Sequence, residues 1–268
     1  MIQRLKKILG RIKREYDRRS ERIRLRDVYK EMSPYLSKDI NQIFDGKRVA
    51  IIGPADSAML EENGDYIDRF DLIIRLNKGY QLVEIEGNDS FIGSRTDVLF
   101  SRLDIRESLD PETFDFELLT RQKIQHLIGF WRTEKFGAYH RILSFIRDYK
   151  GLFGEKVSII TKEKYIEIMK SIGFAKPSVG YIALCSVLES KAKLLYLTGI
   201  TFYLTEYQPG YRDDVTKESQ LSKFRQREDG HNPEMERVAF LKLYKNHKER
   251  IELDAFLTKH LRETDGSV

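Results

Sequence analysis

The sequence has few of the residues that characterise disulfide-rich, collagen-like or membrane-spanning proteins. Its 268 residues include one cysteine, six prolines and 17 glycines, and no apolar run reaches the roughly 18 residues that a spanning helix needs. A single cysteine excludes an intrachain disulfide and a multi-thiolate metal site. We expect Cys185, in the apolar run 181–188, to be buried and inert in a reducing compartment. The N-terminus has no apolar h-region, so we expect no secretory signal.

Common nucleotide and metal motifs are also absent. No G-x-G-x-x-G follows the first predicted strand, and no G-x-x-x-x-G-K-[ST] occurs anywhere in the chain. No two aspartates are separated by one residue, so a D-x-D metal clamp is missing. The five histidines show no metal-ligand spacing with the cysteine. We therefore predict that the protein binds no metal and no cofactor.

The positive charge is concentrated at one end of the chain. Residues 1–31 contain 12 Lys/Arg and 5 Asp/Glu, whereas the other 237 residues contain 35 and 37. Residues 1–32, here called the basic arm, are predicted to form an amphipathic helix with an apolar face. We expect residues 1–31 to lie on an anionic membrane surface. The alternatives are a partner helix and a solvated helix, and we expect no nucleic acid because no aromatic residues interleave with the charges.

Residues 33–268 alternate short apolar strands with helices. Strands are predicted at 47–53, 70–77, 96–101, 124–129, 156–161 and 193–199, and helices at 135–149, 162–171, 178–188 and 233–249. A connector is predicted at 33–46, and Asp56 and Ser57 are predicted to cap a helical turn. This alternation predicts a single α/β domain with a doubly wound sheet and an N-terminal helical extension. Ligands bind such sheets beyond the carboxyl ends of the strands.

Two predicted helix starts contain groups suited to chemistry. Ser178, Val179 and Gly180 begin the third helix, where unpaired N–H groups and the helix dipole suit an anionic phosphate or carboxylate. The alternative is an ordinary N-cap serine. His231 lies two residues before Pro233, which suits the first helical position. The positive potential there favours a neutral imidazole, the form that a general base needs at pH 7, although a lone loop histidine is more often structural.

Three segments, taken in order, resemble the sialyl motifs of glycosyltransferase family 29, the eukaryotic-type sialyltransferases. Residues 48–100 contain V-A-I-I-G ending at Gly53, I-R-L-N ending at Asn77 and G-S-R-T-D over 93–97. Residues 177–180 read P-S-V-G, followed by a strand ending at Gly199, and resemble the small motif. Residues 231–236 match the family's H-x4-E pattern. The resemblance implies a Rossmann-like, GT-A-like fold.

The resemblance also implies an inverting, metal-independent enzyme that moves a sialic acid-type sugar from a CMP-sugar to a hydroxyl of a glycan or glycolipid. His231 would be the general base, and Glu236 would either orient it or stabilise the first helical turn. Arg95 would be a structural anchor as much as a ligand. The donor nucleotide would be bound by Gly53, Pro54, Ala55, Ser57, Asn77, Ser178, Val179, Gly180, Gly199, Tyr207 and Tyr211. The alternatives are a CMP-Kdo-dependent transferase, a non-catalytic nucleotide-binding assembly protein and a nucleotidyltransferase.

The chain departs from the family pattern in its phosphate contacts and its disulfide. The usual G-N-S turn is G-P-A at 53–55, and P-S-T-G has become P-S-V-G, so side-chain donors are lost. A further family motif contributes a histidine to the phosphate about nine residues after the position of Gly199. This chain has no histidine there, and Tyr207, Tyr211, Gln208 or Arg212 would have to replace it. The family's cysteine pair falls at about 49 and 192, where this chain has valine and alanine. We therefore expect a cytoplasmic protein of bacterial or viral type, peripherally attached to the inner membrane surface.

Overall fold

The computed structural model describes residues 26–37, 39–103, 114–131, 137–226 and 230–265. Residues 1–25, which are most of the basic arm, lie outside these ranges. The predictions that the arm forms an amphipathic helix and lies on a membrane surface therefore concern residues outside the described part. In the described part of the chain, no helix is both long enough and apolar enough to cross a membrane.

The described residues form one parallel β-sheet of eight strands. The strand order is β1-β6-β5-β4-β3-β2-β7-β8. Strands β2 to β7 correspond to the six predicted strands, whereas β1 and β8 were not predicted. The strands are β1 (Leu36–Ser37), β2 (Arg48–Ile52), β3 (Leu72–Leu76), β4 (Val98–Phe100), β5 (His126–Phe130), β6 (Val157–Ile160), β7 (Leu194–Thr198) and β8 (Ile251–Leu253).

Helices cover both faces of the sheet, as the alternating pattern predicted. The four predicted helices correspond to α5, α6, α7 and α9, and 3₁₀ turns at Asp56–Met59 and Asn77–Glu84 follow β2 and β3. The helices are α1 (residues 26–32), α2 (Gly64–Ile67), α3 (Asp89–Ile92), α4 (Phe116–Arg121), α5 (Gly137–Phe153), α6 (Lys162–Ser171), α7 (Val179–Glu189), α8 (Lys217–Arg225), α9 (Pro233–His247) and α10 (Ala255–Asp265).

The direction in which the sheet is built reverses between β2 and β7. From β2 the chain adds β3, β4, β5 and β6 on one side, and then returns to place β7 on the other side of β2. The carboxyl ends of β2 and β7 therefore meet where the chain winds away in two directions. In doubly wound folds this switch point is where ligands bind. The predicted doubly wound α/β fold is confirmed.

Helix α7 is the central helix of the largest core cluster. Its residues from Gly180 to Leu188 are all buried, so the helix has no solvent-facing side over this stretch. Cys185 is 6% exposed, and burial raises the pKa of its thiol to about 12. The thiol is therefore protonated and unreactive at neutral pH. The prediction of a buried, inert cysteine is confirmed.

The last turn of the basic arm packs against the globule. Val28 and Met32 are buried in one core cluster with Trp131, and the ring of Tyr29 meets Trp131 edge-on at 5.7 Å. Glu31 forms an ion pair with Arg147 at 2.6 Å. The predicted boundary between the basic arm and the globular domain, after residue 32, therefore follows residues that already pack on the globule.

Two glycines allow β2 and β7 to end in close contact. A Cβ on Gly53 would lie 2.1 Å from the carbonyl oxygen of Gly199, and a Cβ on Gly199 would lie 2.4 Å from that of Gly53. Gly199 also has φ +66°, a conformation that other residues rarely adopt. The N–H of Gly53 donates to Thr198 O at 2.8 Å, which ties the strand ends together. Neither position therefore accommodates a side chain without moving the switch point.

Replacing Gly53 by alanine is expected to lower the free energy of unfolding by about 2–3 kcal/mol, because the new methyl group overlaps the Gly199 carbonyl. The matched control is Gly151→Ala on the exposed side of α5, where a Cβ meets nothing within 4 Å. That change should leave the stability unchanged or raise it slightly, because alanine is the better helix former. Urea unfolding monitored by circular dichroism measures both. Equal loss in the two variants would contradict the close contact.

Candidate functional site

The loop after β2 is fastened to the loop after β7 by backbone hydrogen bonds. Ala55 N–H donates to Gly199 O at 3.0 Å, and Gln208 N–H donates to Pro54 O at 2.9 Å. Ala55 and Tyr207 form an antiparallel bridge. These bonds hold two otherwise independent loops side by side at the switch point.

The 3₁₀ turn that follows this loop differs from its prediction. Its N-cap residue is Ala55, and no side chain caps it. The hydroxyl of Ser57 is buried and has no hydrogen-bond partner among the described residues. The predicted turn is present, but the prediction that Asp56 and Ser57 cap it is wrong.

A cavity of about 120 Å³ lies at this switch point, and we call it the central cavity. It brings together nine of the eleven residues predicted to bind the donor nucleotide, together with Glu236. Gly53 and Ser57 do not line it. The nine are Pro54, Ala55, Asn77, Ser178, Val179, Gly180, Gly199, Tyr207 and Tyr211. Segments far apart in sequence therefore meet at one site, as the three motifs predicted.

A second cavity, of about 210 Å³, adjoins the central one. The two share seven lining residues: Asn77, Ser178, Val179, Tyr203, Tyr207, Tyr211 and Gln220. We call the second the cationic cavity, because its lining includes Lys78, Arg102, Lys176 and Arg212 and contains no aspartate or glutamate among the described residues; His231 also lines it. Such a wall suits an anionic ligand.

A third cavity, of about 720 Å³, lies on the other side of His231, and we call it the apolar cavity. Phe174, Leu204 and Met235 line it and are at least one-third exposed. His231 and Phe224 belong to both the apolar and the cationic linings, with their rings edge-to-face at a centroid distance of 5.9 Å. His231 therefore stands in the wall between a charged cavity and a large apolar one.

The protonation of His231 follows from its hydrogen bond. Its Nδ1 lies 2.7 Å from the backbone oxygen of Lys176. A carbonyl oxygen only accepts hydrogen bonds, so Nδ1 donates and carries the proton. In the neutral imidazole the lone pair is then on Nε2, the arrangement that a general base requires. A second bond, from Lys176 N–H to Gly230 O at 3.0 Å, fixes this segment beside the start of α7.

The start of α7 has the predicted N-cap but fewer open donors than predicted. The Ser178 hydroxyl accepts from Tyr181 N–H at 3.1 Å, so Ser178 is the N-cap residue. The Ser178 N–H and hydroxyl both donate to Glu236 and are therefore occupied. This leaves the N–H groups of Val179 and Gly180 as the ones without an acceptor among the described residues. The prediction of open donors is corrected at Ser178.

Glu236 makes no bond to His231 and lies in the first turn of α9. Its Oε1 accepts from Ser178 N–H at 2.6 Å and its Oε2 from the Ser178 hydroxyl at 2.7 Å. The carboxyl is 2% exposed, and this burial raises its pKa to about 7 even though the bonds from Ser178 act in the opposite direction. Asn232 instead caps α9, accepting from Met235 N–H at 3.1 Å, with Pro233 at the first helical position as predicted. Glu236 thus joins the starts of α7 and α9.

Strained backbone is concentrated around the central cavity. Asn77, Phe202 and Tyr203 line it and have φ of 49°, 51° and 61°, unusual for residues with side chains. Asn77 Oδ1 is also buried without a hydrogen-bond partner among the described residues. Such costs are typical of binding sites, where a ligand supplies the missing contacts. Asn77 is thus both strained and unsatisfied next to an open cavity.

Arg75 and Arg95, in the motif segment 48–100, stabilise the loop before β4. Arg75 is 1% exposed and donates to the carbonyls of Ile92 and Gly93, each at 2.8 Å. Arg95 donates to the carbonyl of Phe70 at 2.7 Å and forms an ion pair with Asp97 at 3.6 Å. Neither lines the cavities described above, so Arg95 is an anchor, as the sequence indicated.

Sequence reasoning predicted Tyr207 and Tyr211 but missed Tyr203 and Phe224, which complete an aromatic wall with them, and a lysine. Tyr203 packs on Phe224 at 4.7 Å and on Tyr207 at 6.4 Å, and Tyr207 packs on Tyr211 at 5.0 Å. Phe224 comes from α8, a polar helix with too weak an apolar pattern to be predicted. Lys78 follows Asn77 directly and is 9% exposed. Apolar residues usually occupy buried positions, so a lysine directly after Asn77 was the one signal that the sequence offered.

The described ranges contain no group of three or more His, Cys, Asp or Glu residues placed to bind a metal ion. The metal independence of the site stays a prediction.

Comparisons with known proteins identify the fold. No protein-family model and no curated protein sequence matches the chain. A crystal structure of a mammalian sialyltransferase aligns with a TM-score of 0.54 and 16% identity, over 85% of this chain and 78% of that one. A mammalian sialyltransferase in complex with Gal-beta-1-3GalNAc-ortho-nitrophenol gives the same TM-score and coverage at 15% identity.

The chain has a sialyltransferase-like fold. The sialyltransferase CstII from Campylobacter jejuni, in complex with the substrate analogue CMP-3FNeuAc, aligns with a TM-score of 0.46 and 15% identity, over 78% of this chain and 81% of that one. The mammalian structures confirm the fold that the three motifs implied. The roles of the individual residues stay predictions.

Glu236 is expected to make stability depend on pH. Its carboxyl releases a proton near pH 4.5 in the unfolded chain but near pH 7 in the folded one. The folded state therefore keeps a stabilising contribution below pH 4.5 that is lost as the pH rises to about 7. Glu236→Gln removes this loss, so the variant should gain about 2–3 kcal/mol relative to the wild type between pH 5 and pH 8.

Urea unfolding of both proteins at the two pH values measures this gain. The matched control is Glu234→Gln on the same helix, where hydrogen bonds from Arg237 lower the pKa of an exposed carboxyl. That control should show no gain toward high pH. A Glu236→Gln variant whose stability follows the wild type at every pH would contradict the raised pKa of the buried carboxyl.

Proposed function

We propose that the protein is an inverting glycosyltransferase that uses a CMP-sugar donor and His231 as general base. The observation that carries the proposal is the position of His231, in the wall between the cationic and apolar cavities with its Nδ1–H held by Lys176 O. The sialyltransferase-like fold and the meeting of the three motif segments at one site support the same function.

The proposed arrangement assigns one substrate part to each cavity. The nucleoside lies in the central cavity, where Asn77 Oδ1 accepts a hydrogen bond from it. The donor's anionic groups lie at the boundary with the cationic cavity, near the open N–H groups of Val179 and Gly180. The donor sugar then reaches toward His231. CMP-sialic acid and CMP-Kdo both fit this chemistry, since each has a carboxylate beside the anomeric carbon.

The proposed reaction is a direct displacement at that carbon. His231 Nε2 takes the proton from the acceptor hydroxyl as the acceptor oxygen attacks the anomeric carbon. The bond from that carbon to the phosphate oxygen breaks, and CMP leaves with the bonding pair. Charge on the leaving phosphate is stabilised by fixed N–H groups and cationic side chains, which need no reorganisation during the reaction. No metal is needed in this scheme.

The apolar cavity is proposed to take the acceptor. His231 faces it, and a base must reach the acceptor hydroxyl. Its lining includes Phe174, Leu204 and Met235, so it suits a glycan attached to a lipid or to another apolar group. A cytoplasmic glycolipid acceptor agrees with a basic arm that lies on an anionic membrane.

The variant His231→Asn tests the base directly. The asparagine amide is able to donate to Lys176 O in place of Nδ1–H, but it has no basic nitrogen. We expect at least a roughly 100-fold loss of turnover, with the unfolding midpoint and the CMP affinity unchanged. Release of CMP from CMP-sialic acid and from CMP-Kdo, with a panel of lipid-linked glycans, measures turnover.

His260→Ala is the matched control, because His260 stacks on Phe256 and lines none of the three cavities. Turnover should also persist in EDTA. Wild-type activity in His231→Asn would contradict the base. No turnover with either donor would leave the non-catalytic nucleotide-binding alternative, and loss in EDTA would favour metal-dependent phosphate chemistry.

The basic arm is proposed to attach the enzyme to an anionic membrane surface. Residues 1–25 contain ten Lys/Arg and three Asp/Glu, and each basic residue near such a surface contributes about 1 kcal/mol. The full chain should sediment with anionic phosphatidylglycerol vesicles and not with neutral phosphatidylcholine vesicles.

A chain that begins at residue 26 should stay in solution with both kinds of vesicle. Truncation at this point retains Val28, Glu31 and Met32, which pack on the globule, so the globule itself is preserved. Equal sedimentation of the full and shortened chains would contradict the membrane role of the arm.

A further inference from the structure

A buried lysine with no ion pair among the described residues lies in the cationic cavity. Lys78 is 9% exposed, and the carboxylate that its charge reaches is the exposed Asp214, whose pKa it helps to lower and which is bonded to Arg212. A charged group buried without a partner costs free energy unless something compensates for it. Its ammonium lies 5.6 Å from the centre of the Tyr211 ring, which compensates only in part.

The position of Lys78 relative to Tyr211 locates the charge. Tyr211 lines both the central and the cationic cavities, whereas Lys78 lines the cationic one. A cation beside this ring therefore lies close to the boundary between the two. In the proposed function, that boundary is where the phosphate of the donor joins its nucleoside to its sugar.

The other candidates for this role are less suited. Arg212 is already paired with Asp214 through two hydrogen bonds, at 3.1 and 3.2 Å. Gln208 is 1% exposed and lines neither cavity. Tyr207 and Tyr211 line both cavities but are uncharged. Lys78 is the buried cation among these five residues, and its charge is not neutralised by an ion pair in the described part of the chain.

We propose that Lys78, together with the N–H groups at the start of α7, binds the phosphate of the CMP-sugar. Lys78 then supplies the positive charge that the loop after β2 and the strand ends of this protein do not supply. This inference rests on the proposed function and deepens it. Helix α7 has eleven residues; its first residue, Val179, lines the same cavity as Lys78, and its second, Gly180, lines the adjoining central cavity. An ammonium and a helix N-terminus act together on the phosphodiester as it binds with one negative charge and on the CMP phosphate as it leaves with two.

The test compares ligands that differ only in the phosphate. The affinities of CMP and of cytidine are measured by titration calorimetry for the full chain, for Lys78→Met and for Lys78→Arg. Lys78→Met should weaken CMP binding about 10- to 100-fold, as expected for a lost charge-assisted hydrogen bond, and leave cytidine binding unchanged. Lys78→Arg should retain most of the CMP affinity.

The matched control is Lys242→Met, which removes an exposed lysine of α9 that lines none of the three cavities. It should bind both ligands as the wild type does. Because the change removes a buried charge that has no ion pair among the described residues, the unliganded Lys78→Met variant should unfold at the same temperature as the wild type or a higher one. If Lys78→Met fails to fold, Lys78→Gln serves as the neutral variant.

Three results would overturn the inference, and they are distinguishable. Equal CMP affinity in the wild type and Lys78→Met would overturn the role of Lys78 while leaving the proposed function intact. A loss seen with the complete CMP-sugar but not with CMP would assign Lys78 to the sugar carboxylate instead of the phosphate. A wild-type protein that binds neither CMP nor cytidine would overturn both this inference and the proposed function.

Discussion

A buried carboxyl at the junction of two helices determines the geometry of the candidate site. Glu236 receives two hydrogen bonds from Ser178, and through them the start of α9 is fixed to the start of α7. His231, five residues before Glu236, is then fixed to Lys176, two residues before Ser178. Glu236 in α9 thus holds Ser178 at the start of α7, and Lys176 before α7 holds His231 before α9. Removing one partner of such a buried pair leaves the other unsatisfied, which costs more than the bond itself contributes.

Several energetically unfavourable features of the fold lie together at the switch point. Three residues with left-handed backbone, an unsatisfied Asn77 amide oxygen and an unpaired buried Lys78 all border one pair of adjoining cavities. The central strands β2, β3 and β7 beneath are mostly apolar and buried, and each pairs with a neighbour on both sides. A rigid sheet therefore holds strained loops in place, and the strain persists because the sheet determines where those loops begin and end.

The fold was largely predictable from the sequence, because buried parallel strands are short apolar runs and amphipathic helices have a regular period. Strand β8 and helix α8 were missed since their patterns are short or polar. The site was predictable where motifs mark the ends of strands, as at Asn77 and Gly199. The contact between Glu236 and Ser178 was not, because 58 residues separate the two and only the packed helices bring them together.

A local cluster of basic side chains, not the net charge of the protein, makes the site cationic. Outside residues 1–31 the chain has 35 basic and 37 acidic side chains, so the globule as a whole does not attract anions. The cationic cavity nevertheless has four basic side chains and no acidic one in its described lining. A charge in such a poorly solvated wall interacts with a ligand more strongly than an exposed one, because water screens it less. Charge in the arm and charge in the cavity can therefore serve different partners, the first a surface and the second a single anionic ligand.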